Sequence, residues 1–195
     1  DSNDSVAAGH LPFLIDVWDT DDDDGLPPNS QNSVTTIVQT RDGYLWFGTL
    51  NGLVRFDGRR FILLDESNTP GLNNSCIVSL FEDRTGRLWI GTRTSGVAFL
   101  KDGRVTSVGI GQGASASEKR LCAVGEDAAG AVWLHTADGQ IWRYADDRYQ
   151  VFVLDQDRPS DLRALVAESS GEVWGGSDAR LANIRPDAAG GIEAR

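Results

Sequence analysis

Residues 84–92 read RTGRLWIGT, a turn with a glycine followed by a tryptophan in a short apolar run. Three further segments repeat this pattern, and they read RDGYLWFGT (41–49), AGAVWLHT (129–136) and SGEVWGGS (170–177). The four tryptophans recur about every 40–45 residues, a spacing typical of β-propeller blades. The sequence therefore predicts an all-β fold, a β-propeller of four-stranded antiparallel blades with about four blades in this chain.

The second repeat shows how the strands of one blade follow each other. The β-rich run at 76–81 predicts the innermost strand, and the alternating run at 87–92 predicts the second strand. Residues 97–108 predict the third and outer strands, because the Asp102-Gly103 pair between them is a strong hairpin signal.

The repeats also predict where the blades begin and end. We place a flexible leader at 1–12 and a flexible tail at 188–195. The four blades are predicted at 33–66, 76–109, 120–155 and 161–187. The fourth blade lacks an outer strand in this interpretation, and the apolar segment 13–18 resembles the outer strand of a blade. Either this segment closes a four-bladed ring, or the chain is part of a larger propeller that can self-associate through its open blade edges. We favour the second interpretation.

The repeated tryptophans Trp46, Trp89, Trp133 and Trp174 are interpreted as core between blades. A tryptophan in the second strand buries a large apolar surface against the next blade. A sugar-stacking aromatic residue would not recur in every blade. The sequence therefore assigns these four residues to the structural repeat rather than to a ligand site.

The composition restricts the classes of function. The net charge of −11 argues against binding to nucleic acids or anionic membranes, which require clustered basic residues. No segment approaches the ~18 apolar residues of a membrane helix. Cys76 and Cys122 are predicted to face the same side of their strands as small core residues, rather than to form a disulfide or a metal pair.

Longer stretches resemble the two-component regulator propeller family. They read DGYLWFGT (42–49) followed by NGLVRFDG (51–58), and SLFED (79–83) followed by GRLWIGT (86–92). The resemblance covers about residues 13–187 and weakens at His135, where a glycine is expected. It implies a periplasmic sensor region, followed by a β-sandwich, a membrane helix and a histidine kinase or diguanylate cyclase. It also implies glycans or their breakdown products as ligands.

Candidate ligand-binding residues follow from the propeller architecture. The loops that enter the innermost strands and the turns after the second strands share one face, where ligands bind. Amide and guanidinium groups in such loops suit sugar hydroxyls. The polar candidates are Asn29, Asn32, Asn51, Asn73, Asn74, Arg93, His135, Asp138, Asp178 and Arg180.

No metal, cofactor or catalytic site is predicted. The acidic segment 19–25 only partly matches a calcium loop and is interpreted as an exposed turn, because its glycine comes one position late. The only histidines are His10 and His135, too few for a zinc site or a Ser-His-Asp triad. Asp42, Asp83 and Asp127 recur at the first turn of a repeat and are predicted to cap it by hydrogen bonds.

Three functions remain open. We favour an extracytoplasmic ligand-sensing propeller that binds an oligosaccharide or another small molecule and has no catalytic activity of its own. The first alternative is an enzyme similar to streptogramin lyases, for which His135 is the single candidate residue. The second alternative is a scaffold that binds another protein through one propeller face.

Overall fold

The structure is a computed structural model of the 195-residue chain. It describes residues 26–27, 30, 33–110, 120–137, 139–153, 164–168, 172–176, 181–186 and 192–194. These residues form four antiparallel sheets of four strands each, and strands that follow each other in sequence are neighbours in the sheet. Within them, no helix has the length and hydropathy of a membrane span.

The four sheets are the blades. Blade 1 contains β1 (Val34–Gln39), β2 (Leu45–Thr49), β3 (Leu53–Phe56) and β4 (Phe61–Leu64). Blade 2 contains β5 (Ile77–Glu82), β6 (Leu88–Thr92), β7 (Val97–Lys101) and β8 (Arg104–Val108). Blade 3 contains β9 (Leu121–Glu126), β10 (Val132–Thr136), β11 (Gln140–Ala145) and β12 (Arg148–Val153). Blade 4 contains β13 (Ala164–Ala167), β14 (Val173–Gly176), β15 (Leu181–Pro186) and β16 (Ile192–Ala194).

The innermost strands β1, β5, β9 and β13 contact each other in this order, as the strands around a propeller axis do. The predicted fold class is confirmed. The hairpin predicted at Asp102-Gly103 is also present, and both residues have positive φ angles of 50° and 73°. Positive φ at both central positions is the backbone of a tight β-hairpin turn, whose twist matches that of the flanking strands.

The fourth blade differs from the prediction. The sequence analysis gave it no outer strand and placed a flexible tail at 188–195. In the structure β16 pairs with β15, with Ile192 opposite Pro186 and Ala194 opposite Ile184, so this prediction was wrong. A strand of three residues after an alanine- and glycine-rich segment is too short to show an alternating pattern. Residues 13–18 and the acidic segment 19–25 lie outside the described residues.

Two apolar clusters fill the spaces between neighbouring blades. Between blades 1 and 2, Trp46 and Leu53 pack with Ile77 and Ile90. Between blades 2 and 3, Trp89 packs with residues of the next blade that include Val132, Leu134 and Tyr144. The ring centroids of Trp89 and Tyr144 are 5.0 Å apart in an edge-on arrangement. The predicted position of Trp46 and Trp89 between blades is confirmed.

Glycines let the blades approach closely at these interfaces. A methyl group on Gly91 would lie 2.6 Å from Leu121 Cδ2 on the first strand of blade 3. A methyl group on Gly48 would lie 2.9 Å from Ile77 Cγ2 on the first strand of blade 2. The packing therefore requires a residue without a side chain at this position. In blade 4 the equivalent residue is Gly176, and no atom of the described residues lies within 4 Å of a methyl group placed there.

A buried acidic side chain organises the turn between the first and second strands. Asp83 is 1% exposed, and its Oδ2 accepts a 2.9 Å hydrogen bond from the indole nitrogen of Trp89. Its Oδ1 accepts hydrogen bonds from the backbone amides of Thr85 and Arg87. Burial alone would raise the pKa of the Asp83 carboxyl, but the hydrogen bonds from Trp89, Thr85 and Arg87 hold it below its usual value.

The same arrangement recurs in the neighbouring blades. Asp127 Oδ2 accepts a 2.8 Å hydrogen bond from the indole of Trp133. In blade 1 the position belongs to Thr40, whose hydroxyl accepts the indole hydrogen bond of Trp46 at 3.1 Å. Asp42 lies two residues later and accepts the hydrogen bond that the Thr40 hydroxyl donates. The predicted turn capping is therefore confirmed, although Asp42 contributes through Thr40.

Arginines in these turns connect each blade to the next one. The guanidinium of Arg84 donates 2.7 Å hydrogen bonds to the carbonyl oxygens of Asp127 and Ala128, and it lies 2.9 Å from Glu126 Oε1. Arg41 donates equivalent bonds to the carbonyl oxygens of the blade 2 turn at 2.8 Å. We call these contacts the arginine clamps. They lie on the face opposite to the candidate site, because they belong to the turns at the other end of the same strands.

Candidate functional site

The candidate site lies where the innermost strands begin and the second strands end. A threonine ends the second strand in each of the first three blades, and its hydroxyl donates to a backbone carbonyl across the following turn. The donors are Thr49, Thr92 and Thr136, and the acceptors lie at 2.9, 2.9 and 3.3 Å. These bonds close the turns of the three blades at this end of the strands.

In blades 2 and 3, a hydrogen bond between backbone groups places the residue after the threonine at the propeller mouth. The amide of Arg93 donates a 2.9 Å hydrogen bond to the carbonyl of Cys76, which precedes the innermost strand of the same blade. In blade 3 the amide of Ala137 donates an equivalent 2.9 Å bond to the carbonyl of Arg120. Both ends of each hairpin are therefore held together at the mouth.

Each of the first three innermost strands carries a β-bulge near this end. The strand register shifts by one residue at Thr35, Val78 and Cys122. A bulge turns its extra side chain out of the regular alternation, and bulges are frequent beside binding sites. The beginning of each of these innermost strands therefore departs from the regular alternation of side chains at the mouth.

A depression of about 700 Å³ lies among blades 1, 2 and 3 at this end. The innermost strands and the residues preceding them contribute Thr35, Cys76, Val78 and Arg120 to its wall. The turns after the second strands contribute Leu50, Arg93 and Thr94. The expectation that these two kinds of loop share one face is confirmed for these residues. The volume of the depression lies within the ~300–1,000 Å³ typical of ligand pockets. We call it the mouth depression.

Two arginines dominate the electrostatics of the mouth depression. Arg93 and Arg120 are exposed, and within the described residues neither guanidinium has a hydrogen bond or an ion pair. The arginines of the clamps and Arg87 are, in contrast, engaged with carbonyl groups or carboxylates. Among the residues that the structure describes, no acidic side chain lines the depression. It is therefore a locally positive surface on a chain with a net charge of −11.

The predicted site residues are distributed unevenly. Arg93 lines the mouth depression, and Asn51 is half-buried directly after Leu50. Asn74 accepts a 3.2 Å hydrogen bond from the Cys76 amide, and the Asn73 carbonyl accepts one from the Ser95 hydroxyl at 3.1 Å. The two asparagines therefore brace the loop. The remaining polar candidates Asn29, Asn32, Asp138, Asp178 and Arg180 lie outside the described residues, and ligand binding by any of these groups stays a prediction.

His135 is not a residue of the mouth. It lies inside β10, and its side chain is 1% exposed. It occupies the strand position of Gly48 and Gly91 at the side of blade 3 that faces blade 4. The sequence analysis placed it among loop residues, and this was wrong, because a threonine comes between His135 and the turn. The alternative of a lyase relied on this imidazole, which is buried away from the depression.

The cysteines also differ from the prediction. Cys76 and Cys122 are half-buried and are not joined by a disulfide, and Cys76 lines the mouth depression instead of filling a core. Arg120 was not among the predicted residues, although it precedes its innermost strand as Cys76 precedes β5. Aligning the repeats at this position would have found it. Among the described residues, no group of three or more His, Cys, Asp or Glu side chains is placed to hold a metal ion.

Comparison with known families agrees with these repeats. Residues 29–51 and 71–94 match the family model described as two component regulator propeller. These two segments are similar to the repeats of that family. Both matched segments end at the turn after a second strand, where Leu50 and Arg93 line the mouth depression. No curated protein matches the chain in sequence.

Solved structures support the fold. The extracellular domain assigned to a hybrid two component system from B. thetaiotaomicron aligns with a TM-score of 0.66 and 23% identity, over 88% of this chain and 23% of that one. Virginiamycin B lyase from Staphylococcus aureus aligns with a TM-score of 0.64 and 14% identity, over 88% of this chain and 57% of the lyase. A gluconolactonase from Xanthomonas campestris aligns with a TM-score of 0.57 and 13% identity, over 83% and 61%.

These likenesses concern the fold, because the identities are low. The chain spans less than two thirds of each of the three proteins. This partial coverage fits four blades of a larger propeller. Enzymes and a signalling domain share this architecture, so the fold by itself does not select a function.

Proposed function

We propose that this chain is the extracytoplasmic, ligand-sensing part of a two-component-type receptor. In this proposal the mouth depression binds a glycan-like or other small ligand, and the chain has no catalytic role. The observation that carries the proposal is the match of two blades to the two-component regulator propeller family. The name of the B. thetaiotaomicron structure, an extracellular domain, agrees with the compartment that we propose.

The mouth depression supports the binding part of the proposal. It combines two unpaired guanidinium groups, the hydroxyl of Thr94 and the apolar side chains of Leu50 and Val78. Saccharides present hydroxyl groups at their edges and apolar C–H faces, so a mixed wall of this kind suits them. The backbone around it is fixed by the threonine bonds, and a preformed site loses less entropy on binding.

Signalling requires a further property. A ligand shifts an equilibrium only if it binds two arrangements of the receptor with different affinities. The depression is built from three blades, so a ligand that contacts all of them stabilises one relative position of these blades. We propose that a kinase or cyclase module encoded elsewhere in the same gene responds to this position. The gene sequence on both sides of this segment tests that part directly.

Binding is tested by thermal unfolding of the chain in the presence of neutral and acidic oligosaccharides. We expect at least one oligosaccharide to raise the melting temperature in a concentration-dependent manner. The location is tested in the Cys122→Ala variant, in which Cys76 is the remaining thiol. A ligand in the mouth should slow the alkylation of Cys76. The oligosaccharide should be recovered unchanged after incubation, because the chain has no catalytic role in this proposal. A panel in which no member changes either quantity would contradict the proposal.

A further inference from the structure

The mouth depression differs in charge from the rest of the molecule. The chain carries 29 acidic and 18 basic residues, yet among the residues that the structure describes the charged side chains that line the depression are Arg93 and Arg120. The guanidinium groups of Arg84 and Arg87 contact carboxylates. Arg93 and Arg120 have no such contact within the described residues, and they lie in one concave surface, where a ligand can supply the partner.

Both arginines are positioned by the fold. Arg93 is the residue after Thr92, and its amide is bound to the carbonyl of Cys76. The carbonyl oxygen of Arg120 accepts a hydrogen bond from the amide of Ala137. Their backbones are therefore fixed while their guanidinium groups are free. They also come from different blades, so one ligand can be held from two directions.

We propose that the ligand of the mouth depression carries a carboxylate, as a uronic-acid oligosaccharide does, and that Arg93 and Arg120 bind it. This inference rests on the proposed function and adds the chemical class of its ligand. Guanidinium groups match the geometry of a carboxylate by two parallel N–H···O bonds. The Thr94 hydroxyl can bind a ring hydroxyl, and Leu50 and Val78 can contact the apolar face of the sugar.

The test compares matched sugars and matched variants. Calorimetric titration of the intact chain with digalacturonate and with the neutral galactose disaccharide measures the contribution of the carboxylates. We expect binding of digalacturonate at least tenfold tighter than that of the neutral sugar. Arg93→Ala and Arg120→Ala should each weaken digalacturonate binding at least tenfold. The binding should also weaken with rising salt concentration, because free ions screen the charges.

The controls separate a binding effect from a folding effect. Arg59→Ala removes an exposed arginine from the outer hairpin of blade 1 and should leave the affinity unchanged. The thermal unfolding of Arg93→Ala and Arg120→Ala without ligand should equal that of the wild type. Arg93→Lys keeps the charge but loses the bidentate geometry, so its affinity should lie between those of the wild type and Arg93→Ala.

Three results would overturn the inference. Equal affinity for the acidic and neutral sugars, unchanged in the arginine variants, would reject the carboxylate and leave the proposed function intact. Sulfate binding as tightly as digalacturonate would reduce the site to a general anion site. The absence of binding by any oligosaccharide, with unchanged Cys76 alkylation, would reject the proposed function together with this inference.

Discussion

The second strands of blades 2 and 4 share a tryptophan and a glycine two positions later, and these residues have different surroundings in the two blades. Trp89 is fully buried against blade 3, and Gly91 touches its first strand. Trp174 and Gly176 are their equivalents in blade 4. The tryptophan is half-buried there, and within the described part of the chain an added methyl group on the glycine has no neighbour within 4 Å. Val166, directly across from Trp174, is 59% exposed.

The arginine clamps show the same difference. Arg41 and Arg84 reach from blades 1 and 2 to the turns of the next blades. The equivalent residue in blade 3 is Ala128, so no clamp of this kind extends from blade 3 to blade 4. The repeat pattern therefore encodes a contact with a neighbouring blade, and the contact forms only where a blade with the matching residues is present.

The largest expected effect concerns the two tryptophans. Trp89→Ala should lower the free energy of unfolding by about 3–5 kcal/mol, because it leaves a large cavity between blades 2 and 3. Trp174→Ala should cost about 1 kcal/mol or less, because this side chain is already half-exposed. Urea unfolding followed by circular dichroism measures both. Equal losses in the two variants would mean that the outward face of blade 4 is covered in solution.

The glycines give the second effect. Gly91→Ala should cost about 1–3 kcal/mol, because its methyl group would overlap with Leu121 and force the two blades apart. Gly176→Ala should be neutral or slightly stabilising, because alanine loses less backbone entropy than glycine on folding. Chemical unfolding of the two variants, made in the same way, provides the measurement. An unchanged free energy of unfolding in Gly91→Ala would show that the two blades can move apart without loss of stability.

The third effect depends on pH. The folded pKa of Asp83 lies below its unfolded value, so its carboxylate stabilises the fold above the unfolded pKa. This contribution is lost as the pH falls through the folded pKa. Asp83→Asn should therefore cost about 1–3 kcal/mol at pH 7 and less in strong acid. Thermal unfolding between pH 7 and pH 2 measures the difference.

A neutral equivalent serves as the control for this pH effect. Thr40 accepts the same indole hydrogen bond in blade 1 through a hydroxyl that does not titrate in this range. Thr40→Val should therefore lower stability by a similar amount at each pH. A cost of Asp83→Asn that stays constant down to pH 2 would exclude the carboxylate as its source.

The smallest expected effect concerns the clamps. Arg84→Ala should cost about 1 kcal/mol, because its bonds to two carbonyl groups and Glu126 are partly exposed to solvent. Arg41→Ala should cost less, because Arg41 Nε lies 3.8 Å from Glu82 Oε2, against 2.9 Å in the other clamp. Hydrogen exchange at the blade turns separates the two variants. A larger loss for Arg41 than for Arg84 would contradict this order.

Much of the architecture could be predicted from the sequence, because its signals are local. The Asp-Gly hairpins, the alternating second strands and the period of the tryptophans each follow from residues near to one another. β16 could not be predicted, because three residues carry no period and its pairing depends on β15. The mouth residues Arg120 and Cys76 were missed for a related reason, since their role depends on which strand ends meet in space.

The sequence by itself determined the blade as a unit, since turn residues and strand alternation act within about ten residues of each other. The tertiary structure decided the rest. It buried His135, exposed one face of blade 4 and brought Arg93 and Arg120 to one depression from two blades. These outcomes depend on contacts between residues that are a whole repeat apart, and such contacts exist only when the blades are packed around a common axis.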